Sequence, residues 1–384
     1  MSEEMKNINE QPEQAPVEKK PLDKKTLGII IGAVAAVVVV ALILILTLGG
    51  NSTPADTRDE YTLGLGVAFG EFKVGEGNMT LATVVLDKDG KIVACRIDAV
   101  QNKFAADFEE DSFEFTRLET KMELGTAYGM AGSPYASDTD EDGRILEWDQ
   151  QAKAFETWCV GKTIAQVENA GKEENLQNAH DHMITTDADL LAAGCTIQIG
   201  EFVNAVVKAG NDEFKVTFKS EGNFTLGLAA NNSDNGSKVA DDVATIKMNV
   251  DIAATVVEDG KIVAALNDAA QPQIVYEYDG TVTDISVGKG ADNGLKTKRE
   301  LKEGYGMAGK VDNNGDGVKL EWYLQSAEFS KYVVGKTGAQ VAGLETQLVN
   351  DHNISKDEAL LSAGCSIDIS GLKAVVAEAV TNAR

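Results

Sequence analysis

Two acidic loops carry the sharpest local chemistry in the sequence. Asp138-x-Asp140-x-Asp142-Gly143 and Asp312-x-Asn314-x-Asp316-Gly317 put oxygen donors at the first, third and fifth positions of a loop, with Gly at the sixth. That spacing lets a tight turn wrap a hard cation, so Asp138, Asp140 and Asp142 are candidate calcium ligands, with Asp312, Asn314 and Asp316 as a second set. The first loop adds Asp149 at the twelfth position; the second has Tyr323 there and would need Glu321 to close the shell. The competing reading is an Asp/Gly-rich turn on a solvated acidic surface.

Other reactive types are sparse. There are three histidines, two of them in the matching pairs Asp181-His182 and Asp351-His352. An Asp beside a His can orient a base, but neither pair comes with a nucleophile at a recognisable elbow, and a locally bonded structural His is the simpler reading. There is no His-Glu-x-x-His and no Cys-x-x-Cys, so zinc has no support. Gly161-Lys162-Thr163 and Gly335-Lys336-Thr337 resemble the end of a phosphate loop, yet the position that needs a glycine holds Glu156 in one and Ser330 in the other. A helix stop and restart explains the triplet better. Cys195 and Cys365 match each other, whereas Cys95 and Cys159 are both replaced in the second half, by Ala265 and Val333. Joint loss would follow if the two touch, through a disulfide between hairpin and helix; two independent core substitutions are the alternative.

The elements behind these residues occur twice. Tyr128-Gly129-Met130-Ala131-Gly132, the acidic loop, Leu146-Glu147-Trp148, Gln151, Phe155 and Val160-Gly161-Lys162-Thr163 return as Tyr305-Gly306-Met307-Ala308-Gly309, a second acidic loop, Leu320-Glu321-Trp322, Gln325, Phe329 and Val334-Gly335-Lys336-Thr337. Such a pattern is a duplication, with units long enough to bury a core each. Strands are expected at 61–69, 79–86 and 92–97, with a turn at Asp87-Lys88-Asp89-Gly90. A helix follows over 148–160, then a short one capped by Thr163, another at 186–192, a strand at 195–199 and a closing helix at 202–209. Strands first and helices later predict an α+β fold: two tandem homologous domains, each an antiparallel sheet with helices packed on it. The division is a tail at 1–26, an anchor at 27–48, a tether at 49–60, repeat one at 61–209, a linker at 210–222 and repeat two at 223–384, with 231–242 read as an inserted surface loop.

The anchor is an uncharged apolar run from Leu27 to Leu48, the length of one transmembrane helix. Lys19, Lys20, Lys24 and Lys25 precede it, which puts the N-terminus in the cytoplasm and both repeats outside. A cleaved signal peptide would have a shorter apolar region. The formal charge of −26 lies almost wholly beyond the anchor. That excludes nucleic acid and anionic lipid surfaces as partners of the repeats and favours cations.

The Asp-Gly-Lys-Ile hairpin, the central helix, the run Asp189 to Gly194-Cys195-Thr196-Ile197 and the closing Ala-Val-Val helix together resemble the bacterial FMN-binding domain family. That resemblance spans both repeats in outline. It implies a membrane-anchored extracytoplasmic flavoprotein of a Gram-positive electron-transfer system, loaded by a flavin transferase and served by membrane redox proteins. The family attaches FMN through a phosphoester to the last Thr of an Asp-x-x-Ser/Thr-Gly-Ala-Thr motif. Gly194 and Thr196 fall on that motif, as do Gly364 and Ser366 in the second repeat, while Cys195 and Cys365 stand at its Ala and Ala193 and Ala363 at its Ser/Thr. The implied role is an electron carrier rather than a hydrolase. A cofactor-free cell-surface binding module with calcium-stabilised loops is the competing expectation.

Overall fold

The structure, a computed structural model, describes residues 57–131, 146–179, 182–286, 295–309 and 312–384. The expected anchor at 27–48 and the first acidic loop, with Asp138, Asp140 and Asp142, lie outside the described residues. Among those that are described, no helix is long and apolar enough to cross a membrane.

The first half opens with β1 (Asp59–Lys73), β2 (Glu76–Leu86), β3 (Ile92–Asp107) and β4 (Ser112–Arg117). A one-turn helix α1 (Lys121–Leu124) follows, running into a 3-10 turn over Gly125–Tyr128. Then come α2 (Trp148–Cys159), α3 (Ile164–Ala170), a small hairpin of β5 (Leu176–Ala179) and β6 (His182–Thr185), α4 (Ala188–Ala192) and α5 (Gly200–Gly210). After β7 (Val216–Ser220) the second half runs β8 (Thr225–Asp234), β9 (Lys238–Ala240), β10 (Val243–Glu258), β11 (Lys261–Ala270), β12 (Gln273–Glu277) and β13 (Val282–Ser286). Its helical part is α6 (Lys298–Leu301), α7 (Trp322–Val333), α8 (Gly338–Ala342), the hairpin of β14 (Thr346–Val349) and β15 (His352–Ser355), α9 (Glu358–Ser362) and α10 (Ser370–Thr381). The protein is therefore α+β, with antiparallel pairing throughout the described strands.

Both faces of each main sheet are buried. On β1, Leu63, Leu65 and Val67 point into a core shared with Ile246, Val250, Ile252 and Val256 of β10, so the two sheets pack face to face. The alternate residues face helices: Ala82, Val84 and Ile97 meet Phe155, Phe202 and Val206, and Ala253, Ile262 and Ala269 meet Phe329, Leu372 and Val376. Period-two alternation with both sets apolar is what a strand buried on two sides requires. The order is helix, sheet, sheet, helix. Residues 58–384 form one compact unit, and its inter-sheet core belongs to both halves jointly.

Glycine sets how closely the closing helices ride on the sheets. A Cβ at Gly66 would sit 2.3 Å from the carbonyl oxygen of Ala205, and one at Gly227 only 1.8 Å from that of Ala379. Residues without a side chain let helix backbone touch strand backbone at both places.

Three expectations need correction. The stretch 195–199, expected as a strand, is irregular, and so is 365–369; its apolar residues are buried, but a glutamine side chain takes the backbone N–H that a ladder would need. The expected linker 210–222 contains β7, which pairs with β1 at the edge of the first sheet. The expected surface loop 231–242 is mostly strand, because β8 and β9 both pair with the long β10.

Candidate ligand-binding site

The first half has a cavity of about 920 Å³ at the end of its sheet. β2 and β3 supply Thr80, Gln101 and Lys103 to its wall, Arg117 is the last residue of β4, and α1 with its 3-10 turn brings Lys121 and Tyr128. Trp148 and Gln151 come from α2, Thr196 from the irregular segment, and Glu201 from the start of α5.

Local capping chemistry fixes the position of Lys121. Thr120 caps α1 by accepting from the Glu123 N–H, and Glu123 reaches back to the Thr120 N–H, a reciprocal box that holds a helix of one turn. The Lys121 ammonium then lies 4.9 Å from the Tyr128 ring centre and 5.3 Å from that of Trp148. Arg117 stands 5.5 Å from the Tyr128 ring. Gln101 accepts from both the Tyr128 hydroxyl, at 3.1 Å, and Arg117, at 3.2 Å. The cavity thus offers aromatic surface, three cations in Lys103, Arg117 and Lys121, and one carboxylate in Glu201, which accepts from Thr80 at 2.8 Å.

Thr196 is held as part of a strap. Gln151 accepts from the Thr196 N–H at 2.9 Å and from its hydroxyl at 3.3 Å, while the Gln151 amide donates to the Leu146 carbonyl at 3.0 Å. Glu147 fixes the opposite side of the mouth by accepting from the Met130 N–H at 2.8 Å. Gly194 sits at φ 89°, where a side chain would be strained, and Cys195 is fully buried beneath the strap. Of the three residues expected at the flavin site here, Thr196 alone lines the cavity.

The second half has the same parts in a closed arrangement. Lys298 lies 5.2 Å from the Tyr305 ring and 5.1 Å from Trp322, and Tyr305 donates to Gln271 at 3.2 Å. Gln325 accepts from the Ser366 N–H at 2.8 Å. Yet Lys298, Tyr305 and Ser366 are buried where Lys121, Tyr128 and Thr196 are half-exposed. Asn313 covers the strap by donating to the Ser366 carbonyl at 2.8 Å, and the Ser366 hydroxyl has no partner. Burial and the neighbouring Asp251 and Glu321 push the Tyr305 phenol up to about 12. Gly364 and Cys365 repeat the left-handed turn and the buried thiol.

Under α1 lies a buried carboxyl, Asp98, which accepts from the Met122 N–H at 3.1 Å and the Ala99 N–H at 2.7 Å. Desolvation outweighs those bonds and raises its pKa to about 7. Asp268 does the same under α6, accepting from the Arg299 N–H at 3.1 Å, and burial raises it to about 6. Both carboxyls tie a strand to the helix that carries the cavity lysine or its counterpart.

The other candidate residues have structural partners. Asp312 accepts from the Gly315 and Gly317 N–H groups at 2.9 and 3.0 Å, and Asp316 from the Val318 N–H and the Asn314 amide, so the second acidic loop ties itself together. Among the described residues no group of three or more His, Cys, Asp and Glu side chains is placed to hold a metal ion. Asn350 and Asp351, both at positive φ, form the turn of the β14–β15 hairpin, and His352 opens β15 opposite Val349. Gly161-Lys162-Thr163 stops α2 and restarts α3: the Gly161 N–H donates to the Ile92 carbonyl, and Thr163 caps α3. Cys95 and Cys159 are in contact as free thiols.

Sequence reasoning passed over Lys121, Arg117, Gln101 and Glu201. The signal for Lys121 was present, because Thr120-Lys121-x-Glu123-Leu124 repeats as Thr297-Lys298-x-Glu300-Leu301, a capping box with lysine at the same place. No protein-family description, curated protein or solved structure matches this chain.

Proposed function

We propose that the chain is a membrane-anchored, extracytoplasmic electron carrier built from a duplicated FMN-binding-like unit, and that its first half holds the flavin. The observation that carries this reading is the cavity of about 920 Å³ with Thr196 in its wall, beside Tyr128, Trp148 and three cations. That volume falls in the range of roughly 300–1,000 Å³ of small-molecule sites. The residues suit FMN. Lys103, Arg117 and Lys121 would offset the charge of a phosphate ester, and the rings of Tyr128 and Trp148 offer apolar surface to a planar system.

Bound flavin would supply one- and two-electron redox chemistry. The chain's own contribution is to bind, orient and shield. Gln151 holds the Thr196 hydroxyl and backbone, and Gln101 holds the phenol of Tyr128. Ser366 is a poorer attachment point, since it is buried under Asn313. One flavin per chain follows, with the second half serving as the structural partner that completes the inter-sheet core.

The test is the intact mass and visible spectrum of the full chain produced alongside a flavin transferase. One FMN-sized addition with flavin absorbance, lost in Thr196→Ala and kept in Ser366→Ala, is expected. An unmodified mass and a colourless protein would overturn covalent loading.

A further inference from the structure

Two thiols meet inside the first half, and nothing in the flavin reading uses them. Cys95 lies on β3 and Cys159 is the last residue of α2; both are buried, and their side chains are hydrogen-bonded to each other. The surrounding backbone keeps them there. The Gly161 N–H donates to the Ile92 carbonyl at 2.8 Å and the Ile92 N–H to the Lys162 carbonyl at 2.9 Å, so the exit of α2 is clamped to the start of β3.

The second half provides a control. Its clamp is the same, with the Gly335 N–H on the Ile262 carbonyl at 2.7 Å and the Ile262 N–H on the Lys336 carbonyl at 2.9 Å. The facing residues there are Ala265 and Val333, equally buried and apolar. Packing at this place therefore does not call for sulfur. Cys195 and Cys365 differ, because both halves keep that thiol in the strap.

We infer that Cys95 and Cys159 form a disulfide that closes the segment carrying most of the cavity wall into a covalent ring. That ring includes Gln101, Lys103, Arg117, Lys121, Tyr128, Trp148 and Gln151. The inference rests on the extracytoplasmic reading only for the presence of an oxidant. The oxidant is a disulfide-bearing species such as a thiol–disulfide oxidoreductase. One thiolate attacks its disulfide, the second cysteine displaces the resulting mixed disulfide, and two electrons and two protons pass to the oxidant, which leaves as a dithiol. The mutual hydrogen bond and burial both raise the Cys95 thiol, so the exchange belongs to folding rather than to the finished fold. A closed ring removes conformational freedom from the unfolded wall segment and so resists its local opening.

The test uses the full chain in mild detergent, reduced, unfolded and refolded with oxidised and reduced glutathione, so that an oxidant is supplied. Alkylation in denaturant followed by digestion without reductant should label Cys195 and Cys365 alone and yield a linked Cys95–Cys159 peptide that reductant separates. Reductant should lower the thermal midpoint of the wild type and leave unmoved the Cys95→Ala, Cys159→Val double variant, which copies the second half. Labelling of all four cysteines, a link to Cys195, or an equal response of the double variant to reductant would overturn the inference. Flavin absorbance recorded on the same samples reports separately on the carrier reading.

Discussion

Replacing Glu378 by Gln should stabilise the protein at pH 8 and change little at pH 5. Glu378 lies on α10 and hydrogen-bonds Glu123 of α1 across the seam between the halves. With its amide oriented to satisfy both neighbours, Asn231 donates to the same carboxyl at 2.7 Å and accepts from the Val375 N–H at 3.2 Å. The matching seam on the other side is a salt bridge, with Lys208 2.7 Å from Glu300. Two carboxyls in place of that pair need a proton. Desolvation, then Glu123 and Asp98, raise the pKa of Glu378 from 4.5 to about 7.

A carboxyl whose folded pKa lies above its unfolded value binds its proton more tightly in the native state. Its stabilisation is complete below about pH 4.5 and is lost as pH rises through about 7. A shift of that size corresponds to roughly 3 kcal/mol at full effect, at about 1.4 kcal/mol per pH unit. Glu378 is only half-buried, so solvent screening reduces this to about 1 kcal/mol. Urea unfolding of wild type and Glu378→Gln at pH 5, 6, 7 and 8 should give curves that coincide at pH 5 and separate by about that amount at pH 8. Glu378→Lys, which copies Lys208, should also gain at pH 8 by pairing with Glu123. A constant difference across pH, or a variant less stable at pH 8, would refute the shared proton.

Three further outcomes follow from the same geometry. Gly227→Ala should destabilise by at least about 2 kcal/mol in thermal unfolding, since the new methyl meets the Ala379 carbonyl. Gln151→Ala should lower stability by about 1–3 kcal/mol through loss of the Thr196 and Leu146 hydrogen bonds, and flavin loading should fall further than in a core control such as Val206→Ala. Asp98→Asn should flatten the fall in stability between pH 4 and 7, because burial holds that carboxyl protonated up to about 7; urea midpoints across that range check it.

Most of the elements were legible because periodicity and turns encode them locally. The Asp87-Lys88-Asp89-Gly90 turn, the Trp148 helix and the Thr163 cap all form as their spacing implies. What periodicity could not carry was the partner of each face. Alternating apolar residues on β1 and β10 are compatible with two separate cores, and only the folded chain brings Leu65 and Ile252 into one. The segment from Cys195 to Ile199 reads as a strand on hydrophobicity alone, and it is Gln151, far away in sequence, that takes its backbone. Thr196 entered through the family resemblance, whereas the three cations around the cavity come from three separate elements, β3, β4 and α1, and share no local pattern.

Titration of FMN into the full chain in detergent, with bound and free flavin separated by dialysis, tests the central claim most directly. One site per chain is expected, weakened at least tenfold by Lys121→Ala or Tyr128→Ala and unchanged by Ser366→Ala. No saturable binding, two equal sites, or affinity indifferent to Lys121 and Tyr128 would contradict a flavin site in the first-half cavity.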